Sequence, residues 1–403
     1  MVSKPVYLFI TPFFPSPERW QGGYCYDAVR AIDRAGRYRV VVLTAGAGDD
    51  YEYNGIQVHR FPMRQWPCGL APFLLAGANR RALLAKLKSL GILGEEVAVC
   101  HLNTMGYSVF APAIKKSAPQ AKILLQFHNN APLTLGAGRL GLLPIHSTLM
   151  YLFFRKMYAA ADAFVYISKK AESTMGLCFK RDPEETWHDI RDDLWFGRFL
   201  PPIIRRKSIL LYNGVDRSVF TDRQSSAVGH RPFTIGNVAN CHRLKDPMTL
   251  LRAFARVLKV IPDAKLRMIG SGESLSACRQ WAAAHLPAGA CSFEREMDHL
   301  QLPEFYRSLD LFVLPSRLDG FGCVCAEANY CGTPFITTKV IGAAEVIQDE
   351  ERDLWLFDPR DDARLAELII GYWRQPRPQV LKINLDIDSL MTKFLDEVAL
   401  VVG

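Results

Sequence analysis

Two carboxylates eight residues apart, Asp319 and Glu327, stand in the stretch FVLPSRLDGFGCVCAE, and their setting gives them something to act on. Leu311 to Leu314 is an apolar run with the length of a buried parallel strand; Pro315 ends it, and Gly320 and Gly322 permit a sharp turn before a helix carrying Glu327. Amides around Phe321 to Val324 then face an anion at a helix N-terminus. Asp319 lies just before the turn and Glu327 about two helical turns later, so both lean over one ligand. One carboxylate can hold a sugar and the other a ribose. Cys323 and Cys325 flank Val324, but alternate residues are poorly placed for a disulfide or a zinc pair, so they read as packing.

A second group lies in the first half. Gly22 and Gly23 follow the first apolar run and precede a helix-compatible segment; such a pair lets amides approach a phosphate, although it is also ordinary turn chemistry. His128 ends the run Ile123 to Phe127 and is followed by Asn129 and Asn130, a polar cluster at a strand C-terminus, where open parallel sheets bind ligands. His101, before Asn103, has a similar position and reads as a core histidine.

The elements that must position these groups recur regularly. Apolar runs at Val6 to Ile10, Arg39 to Thr44, Val97 to His101, Ile123 to Phe127 and Ala163 to Ile167 are separated by helix-compatible segments, which predicts a parallel sheet. A second series follows: Ser208 to Leu211, Phe233 to Val238, Lys265 to Ile269, a weaker run near Cys291, Leu311 to Leu314 and Pro334 to Thr337. The expectation is an α/β protein of two doubly wound, Rossmann-like domains, 1–207 and 208–385, with their ligand site in the cleft between them. A closing helix over 386–403 packs back toward the first domain. Residues 180–207 are polar and proline-bearing without a clean period and read as an insertion near the boundary.

Bulk properties agree with two cores: 403 residues, 49% hydrophobic and 22% charged, exclude a disordered chain. Ten cysteines without a C-x-x-C pair or a His/Cys cluster at zinc spacing suggest reduced thiols, a cytoplasmic setting and no metal. The opening MVSKPVYLFITPFFP reads as a first strand rather than a signal peptide, and no eighteen-residue apolar run is present. Of the net charge of +8, residues 1–207 carry +11 and the remainder −3. Residues 66–160 hold ten basic side chains, Arg80, Arg81, Lys115 and Lys116 among them, against Glu95 and Glu96 alone. With Trp66, Leu70, Phe73 and the run Leu140 to Phe154 interleaved, this face suits an anionic bilayer surface, or is simply a solvated basic face. Nucleic acid is disfavoured because no known motif for it appears.

The Asp319–Glu327 spacing resembles the D/E-x₇-E signature of retaining GT-B glycosyltransferases, in particular family 4, whose usual form begins with Glu. Pro315-Ser316, Gly332-x-Pro334 and Glu345 accompany it. The resemblance implies that Asp319 grips donor-sugar hydroxyls, that Glu327 holds the ribose and that the intervening amides bind the diphosphate. It implies that Gly22 and Gly23 approach the diphosphate or acceptor and that His128 faces the reacting sugar. Asn213-Gly214-Val215-Asp216 looks like the turn opening the second domain, and FTIGNVANCHRLKDP resembles the family's strand and phosphate-binding loop, with Lys245 as its lysine. The family arginine is replaced by Asn240; Arg243, two residues before Lys245, can supply the missing charge, since a guanidinium holds a diphosphate with paired hydrogen bonds. Gly270 and Gly272 match the glycine turn bordering the nucleotide, whereas the glycine expected near Phe293 is absent, so UDP and GDP both remain open.

The implied activity is metal- and cofactor-independent transfer of a sugar from a nucleotide-diphosphate donor to an acceptor hydroxyl with retention, in polysaccharide or glycolipid assembly. The partners would be the nucleotide sugar and a glycan or lipid-linked glycan acceptor, with the basic first domain in peripheral contact with the inner face of a membrane. A catalytically idle sugar-nucleotide-binding subunit and a sugar-nucleotide epimerase share the pattern.

Overall fold

The computed structural model describes residues 4–16, 22–64, 72–92, 96–128, 144–178, 186–222 and 231–402. Trp66, Leu70, Glu95, Asn129, Asn130, Arg139 and the first residues of the insertion, 180–185, lie outside the described residues. The chain divides into two units, Met1–Tyr212 together with Asp388–Gly403, and Asn213–Ile387.

The first unit is built on β1 (Val6–Thr11), β2 (Arg39–Ala45), β3 (Tyr51–Tyr53), β4 (Ile56–Phe61), β5 (Val97–Leu102), β6 (Lys122–Phe127) and β7 (Ala163–Tyr166). A two-residue antiparallel pair, β8 (Leu177–Cys178) and β9 (His188–Asp189), precedes β10 (Lys207–Leu210). The sheet order is β10-β7-β6-β5-β1-β2-β4-β3, parallel except at β3–β4. β1 is buried along its whole length, as a central strand covered on both faces must be. The helix Gly23–Arg34 turns Cys25, Tyr26, Val29 and Ile32 inward at helical spacing.

Two features of this sheet differ from expectation. The run near Ser208 does not begin the second sheet: β10 pairs parallel with β7, so it is the edge strand of the first. A local apolar pattern marks a strand but cannot say which sheet receives it. The hairpin β3–β4 was carried by Asn54-Gly55, which take φ of 46° and 84°, the left-handed pair that a tight hairpin turn requires.

The second unit has β11 (Thr234–Val238), β12 (Lys265–Ile269), β13 (Cys291–Glu294), β14 (Leu311–Leu314), β15 (Phe335–Thr338) and β16 (Leu356–Phe357), all parallel, in the order β13-β12-β11-β14-β15-β16. The helix Pro247–Val257 buries Leu250, Leu251, Phe254 and Val257 on one stripe. The final helix, Ile387–Val402, returns to the first unit as expected. Met391, Phe394, Leu395 and Val398 form its buried stripe, the Phe394 ring lies 5.8 Å from that of His101, and Asp388 and Asp396 pair with Arg34 and Arg37. Among the described residues no helix is long and apolar enough to cross a membrane, and eight cysteines are free thiols.

Candidate functional site

Each sheet has one place where its strand order reverses, and the candidate residues collect at those places. In the second unit the reversal falls between β11 and β14, which pair directly. Loops leaving two such neighbours run to opposite faces and open a crevice between them. The loop after β11 carries Asn240, Arg243 and Lys245; the loop after β14 carries Asp319.

Lys245 Nζ donates to Asp319 Oδ2, and both side chains are largely withdrawn from solvent. The other carboxylate oxygen, Oδ1, accepts from the backbone N–H of Phe321 at 3.3 Å, which orients the pair over the start of the helix Cys323–Tyr330. Arg317 N–H donates to Leu244 O at 2.8 Å, joining the two loops through the main chain. Gly320 lies in the turn, Phe321 is buried, and Gly322 caps the helix at φ 89°; a Cβ there would meet Leu314 Cδ2 at 3.0 Å and Ile341 Cδ1 at 3.1 Å. The first-turn amides of Cys323 and Val324 follow.

Glu327 is nearly buried, and Tyr306 OH donates to its Oε2 at 2.7 Å. Burial and the adjacent carboxylate push the Tyr306 hydroxyl well up, so it stays a donor. Cys323 accepts from Asn213 Nδ2 at 3.1 Å, which places the Asn213-Gly214 turn against the head of this helix. Its thiol, like that of Cys325, is pushed up by burial, in keeping with packing. Asn240 and Arg243 are exposed on the β11 loop.

Gly270 and Gly272 hold the β11 loop from the other side. Their φ values are 145° and 142°, and a Cβ would come within 2.0 Å of Ala239 O and 2.6 Å of Cys241 O. The two loops are then joined by Cys241 N–H to Ser271 O at 2.7 Å and Ser274 N–H to Cys241 O at 2.8 Å. The loop bearing Lys245 is thus fixed by main-chain contacts on both sides.

In the first unit the reversal lies between β1 and β5. Gly22, at φ 98°, caps the helix after β1, and a Cβ on it would sit 2.8 Å from Phe13 O; Gly23 is the first helical residue. Asn103, just beyond β5, is the hub. Its Oδ1 lies 3.3 Å from both Thr11 Oγ1 and Cys25 Sγ, and accepts from His128 Nε2 at 3.2 Å, while its Nδ2 donates to Gln126 Oε1 at 2.7 Å. Burial holds the His128 imidazole down to about 4, so it is neutral at pH 7, with the proton on Nε2. Its ring lies 5.2 Å from that of Tyr24. His101 is a core residue, as read from its sequence position: Tyr7 OH bonds its Nδ1 at 2.8 Å.

Sequence reasoning gave no role to Asn103 or Tyr306, and read Asn213 only as part of the turn that opens the second domain. Asn103 had a usable signal, a polar residue one step beyond a strand at the reversal point; Tyr306 had none, because only the packing of two helices brings it to Glu327. Among the described residues no group of His, Cys, Asp and Glu side chains could hold a metal ion.

Residues 218–381 match the family model described as Glycosyl transferases group 1, and residues 21–186 that described as Glycosyltransferase Family 4. The D-inositol 3-phosphate glycosyltransferase of Corynebacterium jeikeium is 30% identical over 163 residues, 39% of each chain, and that of Paenarthrobacter aurescens 35% identical over 147 residues, 34% of this chain and 36% of the relative. The chain therefore spans about two fifths of the length of these curated relatives. Among solved structures, sucrose-phosphate synthase of Thermosynechococcus elongatus superposes with a TM-score of 0.73 at 16% identity, covering 99% of both chains. Anabaena HepE in complex with UDP and glucose gives 0.67 at 16% identity, covering 98% of this chain and 99% of that one.

Proposed function

The chain belongs to the family 4, group 1 glycosyltransferases of the GT-B fold, and from that membership we propose that it moves a sugar from a UDP- or GDP-linked donor to an acceptor hydroxyl with retention at the anomeric carbon. The observation that carries the reading is the Lys245–Asp319 pair at the strand reversal, set over the N-terminus of the helix Cys323–Tyr330. Departure of a nucleoside diphosphate needs cationic and N–H donors held in place before the bond breaks. Lys245 and the amides from Phe321 to Val324 are such donors, and no metal is assigned a part.

Asp319 occupies the lysine. A bound diphosphate takes its place, which frees the carboxylate to accept from the hydroxyls of the sugar. Glu327, oriented by Tyr306, accepts from the ribose. Gly22 and Gly23 let the first helix approach the donor diphosphate or the acceptor, and neutral His128, set by Asn103, orients the sugar. Asn240 brings no charge to the diphosphate, so exposed Arg243 must swing onto it or Lys245 acts with the amides alone. That replacement favours a second reading, a sugar-nucleotide-binding subunit without turnover.

The acceptor we assign is a glycan or lipid-linked glycan of polysaccharide or glycolipid assembly, supported by the basic first half of the chain and placed at the cytoplasmic membrane face; a phosphorylated polyol, as the relatives' names state for them, is the competing acceptor. The test is anomer-resolved NMR with a panel of UDP- and GDP-sugars. Wild type is expected to release nucleoside diphosphate and keep the donor's anomeric configuration in the product, and Asp319→Ala to lose turnover. Inverted product refutes retention, and undiminished turnover in the variant removes Asp319 from the chemistry.

A further inference from the structure

Within five residues of the first unit three large aromatic side chains face solvent: Trp195, Phe196 and Phe199 are 47%, 59% and 85% exposed. Their backbone is held in a costly shape. Phe196 takes φ 56°, a left-handed conformation that bulky residues avoid, and Gly197 packs so closely that a Cβ would lie 1.6 Å from Arg191 O. The Trp195 and Phe196 rings stack 4.6 Å apart.

The segment is tied to the helix Pro144–Tyr158. Thr148 Oγ1 donates to Trp195 O at 3.2 Å, Tyr151 OH to Pro201 O at 2.8 Å and Arg155 Nε to Pro202 O at 2.8 Å; beneath, Leu194 and Leu200 pack on Tyr151 and Ile190. On the same helix Leu149, Leu152 and Lys156 form an exposed stripe at i, i+3 and i+7. Strain and cross-links together keep apolar rings in water, which folding alone does not favour.

We propose that this aromatic edge is a docking surface for an anionic lipid bilayer, with the rings at headgroup depth. Charge selects this occupant. Asp189 is held in a fork by Arg191, and Asp193 is bonded by His188, whereas Arg155, Arg205 and Arg206 bond the carbonyl oxygens of Pro202, Met175 and Ala159 and so keep their charge unneutralised by those bonds. Arg198, exposed between Phe196 and Phe199, adds another cation at the edge itself, against the exposed carboxylate of Asp192. By contrast, two of the basic residues that the sequence offered for a membrane are paired with carboxylates within the unit, Lys86 with Asp50 and Lys115 with Asp162. The docking surface thus lies on the insertion and uses none of the residues assigned to sugar transfer.

Co-sedimentation of the full chain with vesicles of equimolar phosphatidylcholine and phosphatidylglycerol, and of phosphatidylcholine alone, tests this. Wild type is expected to bind the anionic vesicles, and the double variant Trp195→Ser/Phe199→Ser to bind about tenfold less, with donor hydrolysis in solution unchanged. Arg198→Glu, which leaves the rings in place, is expected to weaken binding and its sensitivity to salt, and decides the matter if the double variant fails to fold. Wild type that binds neither vesicle, or variants that bind as wild type does, overturn the proposal. So does a wild-type dimer in solution that the double variant dissolves, since the edge then meets a second copy of the chain. A silent donor assay with intact vesicle binding would count against the transferase reading only.

Discussion

Lys245→Ala is expected to lower kcat/KM for the nucleotide-sugar donor by about 100- to 1,000-fold, the range seen when one preorganised donor to a developing negative charge is removed. The size follows from where the lysine stands. It is withdrawn from solvent, its loop is bonded through the main chain to Arg317 on one side and Ser271 and Ser274 on the other, and its ammonium already lies against a carboxylate. Lys245→Arg keeps the charge but brings a longer, planar group, so partial recovery is expected. Steady-state release of nucleoside diphosphate reads the effect, and a loss of less than about threefold would remove Lys245 from the stabilisation of the leaving group.

Gly270→Ala is expected to have a large effect on stability. A methyl group there would lie 2.0 Å from Ala239 O, a main-chain atom with little freedom to retreat, at a φ of 145° that L-residues rarely adopt. Backbone strain of this kind costs about 3 kcal/mol before the clash is counted, which in a unit of this size lowers Tm by roughly 6–12 °C. The loop displaced is the one that carries Lys245, so donor turnover should fall along with Tm. Calorimetric melting of wild type and variant checks this; coincident melts would mean that the β11 and β12 loops are not locked together as described.

Much of the architecture was legible because buried parallel strands announce themselves as short apolar runs with turn residues after them. Leu311 to Leu314, Pro315 and the Gly320/Gly322 turn became a buried strand, a turn and a left-handed helix cap where the pattern placed them. Asp319 lies in the turn before that helix and Glu327 within it. What local pattern could not convey was the partner of each. Lys245 and Asp319 are separated by 74 positions and meet only because β11 and β14 are neighbours at the reversal of strand order. The same ignorance of pairing misplaced the run near Ser208, whose neighbour is β7. Glu327 illustrates the other limit: its bond to Tyr306 depends on how two helices pack, and no spacing rule reaches across them. The insertion lacked a period and read as irregular, yet its polar composition concealed three aromatic side chains held outward by Gly197 and by bonds to a neighbouring helix.

The exchange of partners at Lys245 can be measured directly by titrating UDP and GDP into wild type, Lys245→Ala and Asp319→Ala in a calorimeter. A nucleoside diphosphate lacks the transferred sugar that Asp319 would hold, so Asp319 can only compete with it for the lysine. Asp319→Ala is expected to bind the diphosphate several-fold more tightly than wild type while losing turnover, and Lys245→Ala to bind it more weakly than either. Equal or weaker binding by Asp319→Ala would contradict the exchange, as would failure of wild type to bind either nucleotide.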